Sequence, residues 1–277
     1  MAYARVNGVE LYYEEHGIGE PMLLIMGFGG NTEAWAGQIP ELSRYLHVIA
    51  FDNRGAGRSE KPDGPYSMEV FADDAAGLLQ YLGVDSAHVF GVSMGGMIAQ
   101  HLALRHPERV RTLILGCTTP GGPQAVSPSP EVIAAFQAGG QERDPRKAAE
   151  IGFFYMYSDE YLSQNREALL DRAERLAHLR APEEGLRGHF QAVMGHNALD
   201  RLHEVRVPTL VLTGDADPLV PPENSRLIAS RIPGARLVEF PGMKHGFFIE
   251  GASLVNRVII DFVRTHAVSA QAAAAGS

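Results

Sequence analysis

A serine between two glycines is the feature of this sequence that most directly suggests chemistry. The stretch Gly91-Val92-Ser93-Met94-Gly95 fits the pattern G-x-S-x-G and joins an apolar run to a segment of helical character. Glycines two residues before and after the serine remove side chains that would collide with a sharp turn. Such a turn exposes the serine oxygen, and the dipole of the following helix favours a developing anion there. Ser93 is therefore a candidate nucleophile.

An acid and a base follow this serine along the chain. A serine hydroxyl is a weak nucleophile at neutral pH and needs an adjacent base. His245 directly follows the last apolar strand pattern, which makes it the candidate base and the acid that later protonates the leaving group. Asp215 and Asp217 both follow the preceding strand pattern, and either could orient the histidine. The order Ser, Asp, His predicts hydrolysis through an acyl-enzyme.

A mostly parallel sheet must position these side chains, because apolar strand patterns alternate with helical patterns. Sites in such sheets form beyond the carboxyl ends of the strands. The residues that fall there are Gly27-Phe28-Gly29-Gly30, Asp52, Ser93, Cys117, Asp217 and His245. Asn7-Gly8 between alternating residues predicts an opening hairpin, which adds an antiparallel edge. The predicted fold class is α/β, with eight strands, helices on both faces and a helical insertion.

Two of the predicted helices have definite limits or faces. Asn31 or Thr32 is suited to begin a helix that runs to about Tyr45. The closing helix is predicted to present one apolar face, formed by Leu254, Val255, Val258, Ile259, Phe262 and Val263.

The chain changes character after about residue 119, where Pro, Gly and Ser become frequent and strand patterns stop. Strand patterns resume after about residue 206. We therefore predict one core domain from residues 1–119 and 207–266, with a helical cap over residues 120–206. The low-complexity stretch 267–277 is predicted to be a disordered tail or an added segment.

Composition excludes several classes of function. The 277 residues carry a formal net charge of −9 and no basic block, which argues against nucleic acid and anionic membranes as partners. The single cysteine, Cys117, excludes an internal disulfide and a cysteine-based metal site, and we expect it to pack in the core. His178, His189 and His196 lack metal-ligand spacing with cysteine or carboxylate partners, so we expect no metal, and we expect no cofactor. The sequence shows no secretory pattern and no membrane-spanning run, so a cytoplasmic protein is expected, as a monomer or homodimer.

Taken together, the motifs resemble the α/β-hydrolase family. The resemblance covers residues 1 to about 265 and rests on Gly91-Val92-Ser93-Met94-Gly95-Gly96, Asp52 to Ser59, Gly214-Asp215-Ala216-Asp217 and Lys244-His245-Gly246. Within the family the chain is similar to cap-bearing esterases and lactonases, in particular to 3-oxoadipate enol-lactonase-like hydrolases. The resemblance implies a small ester or lactone as substrate.

The resemblance also implies roles for individual residues. Family members carry the acid at the second aspartate of Gly-x-x-Asp, which favours Asp217 over Asp215. The backbone N–H groups of Phe28 and Met94 would form the oxyanion hole. Many relatives begin this first loop with histidine, whereas this chain has Met26, so the bracing of the loop is open. Asp52 and Arg54 are interpreted as structural residues beside it.

The predicted substrate pocket combines the loops around the triad with the cap. Gly27 and Gly29 belong to the loop of the oxyanion hole, and Leu219 and Phe247 flank the acid and the base. The cap contributes the aromatic run that contains Phe153, Phe154 and Tyr157, as a shield against water.

Alternative functions use the same residues. Hydrolysis of C–C bonds, thioester cleavage and cofactor-free perhydrolysis all fit this triad. A ligand-binding receptor with slow hydrolysis would show a damaged elbow or lack the acid, and neither sign is present. Dehalogenase and epoxide-hydrolase chemistry in this fold uses an aspartate nucleophile, which Ser93 excludes.

Overall fold

An eight-stranded sheet with helices on both faces organises the chain in the computed structural model, which describes residues 2–267. The strands are β1 (Ala2–Val6), β2 (Val9–His16), β3 (Glu20–Ile25), β4 (Leu46–Phe51), β5 (Ala87–Val92), β6 (Val110–Gly116), β7 (Thr209–Gly214) and β8 (Arg236–Phe240). Their order in the sheet is β1-β2-β4-β3-β5-β6-β7-β8. β2 pairs antiparallel with β1 and β4, and all other neighbours are parallel. The predicted fold class is confirmed.

The helices lie between the parallel strands and after the last one. They are α1 (Ile39–Leu42), α2 (Met68–Tyr81), α3 (Met94–Arg105), α4 (Pro130–Gln141), α5 (Pro145–Met156), α6 (Asp159–Arg175), α7 (Glu183–Met194), α8 (Pro222–Arg231), α9 (Phe247–Glu250) and α10 (Ala252–Thr265). Short 3₁₀ helices cover Thr32–Gly37, Pro107–Arg109, Ala177–Leu179 and Leu199–Glu204. None of the helices described in residues 2–267 has the length and apolar character to cross a membrane.

Two hydrophobic cores, one on each face of the sheet, follow from the alternation of side chains along each strand. In β3, Leu23 and Ile25 belong to the core beneath α2 and α3, whereas Met22 and Leu24 belong to the opposite core. All four side chains are fully buried. Because both faces are covered, the strands read as continuous apolar runs rather than as an alternation of apolar and polar residues.

Four helices, α4 to α7, occupy the chain between β6 and β7, and they are called the cap helices. Side chains that accept hydrogen bonds from the first turn mark the start of three of them: Ser129 for α4, Asp144 for α5 and Ser158 for α6. The two ends of the segment meet, because Ala198 N donates to Pro120 O at 2.8 Å and Gly121 pairs with Asn197. A helical segment whose ends meet can be inserted between two strands without changing their order.

Two sequence expectations are modified. The helix expected from Asn31 to about Tyr45 is a 3₁₀ turn followed by α1, because Pro40 supplies no N–H to continue a helix. On α10, Leu254 is 40% exposed, while the other predicted face residues are buried or partly buried. Apart from Ala267, the predicted tail lies outside the described residues.

Close packing at Gly95 gives a prediction about stability. A Cβ at Gly95 would lie 2.0 Å from Ile25 O, so the backbone of β3 would have to move. We expect Gly95→Ala to lower the free energy of unfolding by about 3 kcal/mol or more, measured by urea denaturation. Gly140 is the control, since it is exposed on α4 with no atom within 4 Å of a Cβ. Gly140→Ala should stabilise by up to about 1 kcal/mol. Equal effects of the two changes would contradict the packing argument.

Candidate active site

Ser93 occupies the turn between β5 and α3 in a strained backbone conformation. Its φ is 56° and its ψ is −124°, a backbone conformation that residues other than glycine rarely adopt. The flanking glycines permit this turn: a Cβ at Gly91 would lie 2.2 Å from Gly95 O. The G-x-S-x-G spacing therefore reflects the close approach of backbone to backbone, as expected from the sequence.

Hydrogen bonds hold the strained turn in place. Ser93 N donates to Gly116 O at 2.8 Å, which ties the turn to the end of β6. Ser93 O accepts from Gly96 N at 2.9 Å and from Thr118 Oγ1 at 2.7 Å. These bonds satisfy the backbone groups of the serine and leave its side-chain oxygen for other partners.

Asp217 and His245 lie together beyond the ends of β7 and β8. Asp217 Oδ2 accepts from His245 Nδ1 at 2.8 Å, and both residues are buried. Asp217 Oδ1 accepts from the backbone N–H groups of Leu219 and Val220, each at 2.9 Å. Because a carboxylate only accepts, Nδ1 carries the proton and Nε2 remains available as a base.

The electrostatics of this pair favour a histidine that takes up protons readily. Burial lowers the pKa of His245, but the charge of Asp217, the neighbouring Cys117 and hydrogen bonds to both together raise that pKa well above its ordinary value of 6.5. The two N–H groups that bind Asp217 hold its carboxylate in place beside His245. The arrangement can therefore accept a proton from a neighbouring hydroxyl and hold it.

Asp215, the alternative acid, is placed differently. Asp215 Oδ1 accepts from Gly242 N at 2.7 Å, and the residue is exposed. The carboxylate thus stabilises the turn that precedes His245, and Asp217 contacts the imidazole itself. The geometry agrees with the family-based choice of Asp217.

Cys117, expected to pack in the core, lies beside this pair. It follows β6, has a φ of 40° and is fully buried. Its sulfur lies within 4.8 Å of the nearest ligand atoms of Asp217 and His245. Thiolate, carboxylate and imidazole are metal ligands, but both Asp217 oxygens and His245 Nδ1 already have hydrogen-bond partners. A metal ion at these atoms would compete with those hydrogen bonds.

Cys117 lies between the neighbourhoods of Ser93 and His245. Ser93 N donates a hydrogen bond to the carbonyl of Gly116, the residue before Cys117, and Cys117 lies beside His245. Within residues 2–267 no hydrogen bond joins Ser93 Oγ to His245. Catalytic hydrogen bonds are often long in the absence of substrate and shorten when it binds.

The loop of residues 27–30 lies against the serine, where an oxyanion hole is expected. A Cβ at Gly27 would lie 2.9 Å from Ser93 Cβ, so only glycine fits there without movement. Gly30 N donates to Gly27 O at 3.1 Å and closes the loop. Among the described residues Phe28 N–H has no backbone acceptor. Met94 N–H stands in the first turn of α3, whose N–H groups have no partner within the helix.

Residues after β4 brace the neighbourhood of this loop. Asn53 Nδ2 donates to Met26 O at 2.8 Å. Asp52 accepts from Thr32 N and Arg58 N, each at 2.7 Å. Asp52 is therefore a turn-holding carboxylate, which agrees with its structural interpretation.

The cap helices hold the loop that carries the histidine. His245 N donates to Tyr155 O at 3.2 Å, and Gly246 N donates to Met156 O at 2.7 Å. Both acceptors lie in the last turn of α5, where carbonyl groups lack partners within the helix. The position of His245 thus depends on the cap as well as on the sheet.

A cavity of about 500 Å³ opens over Ser93. Three residues predicted near the triad line it: Phe28, Met94 and Leu219. Its other lining residues are Ser93, Met97, Thr119, Gly121, Ala125, Val126, Ser127, Pro128, Ile133, Phe136, Gln137, Phe190, Val193, Met194, Val220 and Asn224. Within the described part of the chain, none of these lining residues carries a charge.

Several residues predicted for the pocket lie elsewhere. Gly29 lines a neighbouring cavity of about 380 Å³, and Phe153 and Tyr157 line a third of about 290 Å³. Phe154 is 45% exposed. Phe247 is buried in the core, where its ring stacks on Phe240 at 5.1 Å. The structure does not bring Phe153, Phe154, Tyr157 or Phe247 to the cavity of Ser93.

Other cap helices supply the aromatic and aliphatic wall instead. Phe136 of α4 meets Phe28 edge to face at 5.3 Å. Phe190, Val193 and Met194 of α7 stand three and four residues apart, so they share one helix face. That spacing is visible in the sequence, but it does not say which helix covers Ser93.

Comparisons with known proteins identify the family of this chain. A family model described as the alpha/beta hydrolase fold matches residues 20–252. A protein of Azorhizobium caulinodans that is named as a carbamate hydrolase, RutD, is 33% identical over 267 residues, which are 95% of this chain and 98% of that protein.

Solved structures give the same result. The enol-lactonase of Burkholderia xenovorans LB400 has a TM-score of 0.83 at 29% identity, covering 95% of this chain and 100% of that one. An N-acyl homoserine lactone degrading enzyme, Est816, has a TM-score of 0.81 at 31% identity, with 95% and 100% covered. The resemblance inferred from the motifs is confirmed.

Proposed function

Because this chain belongs to the alpha/beta hydrolase fold family, we propose that it is a serine hydrolase of small carboxylic esters or lactones. Ser93 is the nucleophile, His245 the base and Asp217 the acid that orients it. One observation carries the proposal: Ser93 opens into a cavity of about 500 Å³ without charged lining residues, beside a buried Asp–His pair.

The reaction begins with attack of Ser93 Oγ on the carbonyl carbon of the ester or lactone. His245 Nε2 takes the hydroxyl proton as the bond forms, and the resulting imidazolium is stabilised by Asp217. When the C–O bond to the leaving group breaks, His245 returns the proton to that oxygen. Water then attacks the acyl-enzyme with His245 as base again, which releases the carboxylic acid product and regenerates the free serine.

The oxyanion of the tetrahedral intermediate is stabilised by two backbone donors. Phe28 N–H lies in the loop against Ser93, and Met94 N–H begins α3, whose dipole favours negative charge. Neither donor is charged, so the stabilisation depends on their fixed directions. The close packing of Gly27 on Ser93 supports this arrangement.

The cavity favours a neutral and mostly apolar acyl group. A free carboxylate placed among Phe28, Leu219 and the wall of α7 would lose its hydration without gaining a cationic partner. Of the similar proteins, the N-acyl homoserine lactone degrading enzyme names a substrate class that combines a lactone with an acyl group. We therefore favour esters and lactones with neutral acyl chains.

The mouth of the cavity sets the preferred chain length. Val126, Ile133, Phe190 and Met194 are at least 40% exposed and line the same cavity. An acyl chain can extend along this apolar rim, and each methylene added within contact adds about 0.8 kcal/mol of transfer free energy. The expected activity is broad over short to medium chains and falls once chains pass the rim.

A substrate panel tests the proposal. Purified protein is assayed with neutral p-nitrophenyl esters of increasing chain length, lactones, and matched esters that carry a terminal carboxylate. We expect turnover of the neutral compounds and loss of about a millionfold in kcat in Ser93→Ala, as for other triad nucleophiles. Ser127→Ala is the control, because Ser127 lines the same cavity and is expected to retain activity.

Specific results would contradict the proposal. Full activity in a folded Ser93→Ala protein would exclude the nucleophile. Preference for the carboxylate-bearing esters would exclude the assigned substrate class. Faster turnover of thioesters, carbamates or C–C substrates than of any ester or lactone would move the protein to another activity of the same triad.

The choice between the two aspartates gives a second prediction about turnover. Asp217→Asn should lower kcat by about ten-thousandfold, because the amide favours the wrong tautomer of His245. Asp215→Asn is the matched control and should retain most activity, since Asp215 bonds only the turn at Gly242. A larger loss in Asp215→Asn, with Asp217→Asn active, would reverse the assignment.

The pH dependence of kcat/KM reports on His245. The imidazole must be neutral to act as base, and Asp217 raises its pKa above 6.5. The acid limb of the profile should therefore have its midpoint above pH 6.5, with activity lost as the pH falls. In the residual activity of Asp217→Asn the midpoint should shift to lower pH, because the effect of burial on the pKa of His245 is then opposed by Cys117 without the charge of Asp217. A midpoint unchanged by the substitution would contradict this coupling.

A further inference from the structure

His189 of α7 is a buried histidine that contacts the loop beside Ser93. Its Nδ1 accepts a hydrogen bond from Gly29 N at 3.1 Å, and its Nε2 bonds to Arg54 O at 2.7 Å. The side chain is inaccessible to solvent. Gly29 follows Phe28, one of the two residues assigned to the oxyanion hole, and stands 160 residues from His189 in the sequence.

The two partners fix the proton on the imidazole. A carbonyl oxygen only accepts, so Nε2 must donate to Arg54 O. A backbone N–H only donates, so Nδ1 must be the unprotonated acceptor for Gly29. The neutral form is therefore the one that fits, and burial accordingly lowers the pKa of His189 to about 4. The ring is a neutral connector between two backbone segments.

Close packing prevents the ring from turning. Phe71 and Phe28 meet it edge to face, with centroids at 5.2 Å and 5.8 Å. Behind it, α7 approaches the loop after β4 through glycines, since a Cβ at Gly185 would lie 2.0 Å from Gly55 O. A ring confined in this way holds its Nδ1 at a fixed place opposite Gly29.

The bond at Gly29 holds the peptide group between Phe28 and Gly29. Gly29 has a φ of 62°, so the loop turns sharply there. On either side, Gly30 N donates to Gly27 O and Asn53 donates to Met26 O. Without an acceptor for Gly29 N–H, the peptide between Phe28 and Gly29 would lose the bond that holds it. The preceding peptide, which carries Phe28 N–H, would then be restrained only by the bond from Gly30 N to Gly27 O.

We propose that His189 is a positioning residue for catalysis: its Nδ1 holds Gly29 N–H, and thereby aims the Phe28 N–H at the oxyanion. The inference rests on the proposed serine hydrolase function. By this inference, cap helix α7 covers the cavity and also positions an oxyanion-hole donor through His189. The oxyanion exists only in the transition state and intermediate, so the loss should appear in kcat rather than in KM.

Three substitutions separate the hydrogen bond from the packing. His189→Phe retains an aromatic ring but has no acceptor. His189→Asn places an amide oxygen near the position of Nδ1 and so retains the acceptor for Gly29. His189→Gln extends further, toward the position of Nε2 and Arg54 O. Removing one oxyanion donor costs about a hundred- to a thousandfold in kcat, so a misdirected donor in His189→Phe should cost about ten- to a hundredfold.

The expected order of kcat is wild type, then His189→Asn, then His189→Gln and His189→Phe, with KM changing by less than about threefold throughout. His88→Phe is the matched control. His88 is equally buried and also makes two side-chain hydrogen bonds, to Thr112 and Glu20, but it lies at the opposite end of β5 from Ser93. His88→Phe should lower stability and leave kcat unchanged.

The amide of Gly29 gives a readout that needs no substrate. In ¹⁵N-labelled protein, we expect the Gly29 amide proton to be protected from hydrogen exchange in wild type and His189→Asn. We expect it to exchange faster in His189→Phe. The ¹⁵N shifts of His189 should show a protonated Nε2 and an unprotonated Nδ1 at neutral pH.

The outcomes distinguish the two proposals. If wild type hydrolyses esters and His189→Phe retains full kcat, or loses no more of it than the control His88→Phe does, the positioning role is refuted. If His189→Asn is no better than His189→Gln, packing rather than the acceptor explains the effect. If wild type hydrolyses no ester or lactone, the proposed function fails. Independently of activity, equal hydrogen-exchange rates of the Gly29 amide in wild type and His189→Phe would refute the hydrogen bond between His189 and Gly29.

Discussion

The left-handed backbone of Ser93 is the constraint on which the rest of the site depends. A residue other than glycine with a φ of 56° costs about 1–3 kcal/mol, and surrounding structure must offset that cost. Here the end of β6 does so: Gly116 accepts the N–H of Ser93, and the hydroxyl of Thr118 donates to its carbonyl. Gly27 and Gly95 follow from the same constraint, because any side chain there would enter the space of the turn or of β3. The sharp turn leaves Ser93 Oγ without a hydrogen bond to its own turn, while the end of β6 and the loop of residues 27–30 pack against the residue.

The placement of the candidate triad could be predicted because its sequence signal is local and the topology of the sheet brings the strand ends together. Ser93, Asp217 and His245 each follow an apolar strand, and parallel strands end at one edge of the sheet. The cap pocket could not be predicted in the same way. Periodicity shows that Phe153 and Tyr157 face a core, but not that this core is formed with Leu170 of α6 rather than by the cavity. Neighbourhood in sequence was also a poor guide for Phe247, which closely follows His245 but packs into the sheet.

Cys117 and His189 show a different limit of the sequence. Neither stands in a recognisable motif, and each acquires its place through a contact made by the fold. Cys117 lies where β6 ends, which brings its sulfur beside Asp217 and His245. His189 reaches Gly29 across 160 residues. The sequence around a histidine in an amphipathic helix does not reveal such a partner. The presence of Met26 where many relatives have histidine did indicate that the first loop needed some other support.

The cap helices therefore take part in the active site through backbone contacts as well as through the cavity wall. Carbonyl groups of α5 accept hydrogen bonds from the N–H groups of His245 and Gly246. In α7, the imidazole of His189 accepts a hydrogen bond from Gly29 N–H. A movement that lifted either helix away from the sheet would break hydrogen bonds to His245 and Gly246 or to Gly29. Opening the cavity in that way would separate the residues of the proposed triad and oxyanion hole. The exposed rim at Phe190 and Met194 offers entry without such a movement, because it lies at the outer end of the cavity. Passage over this rim lets the substrate reach Ser93 while the cap stays bonded to both loops.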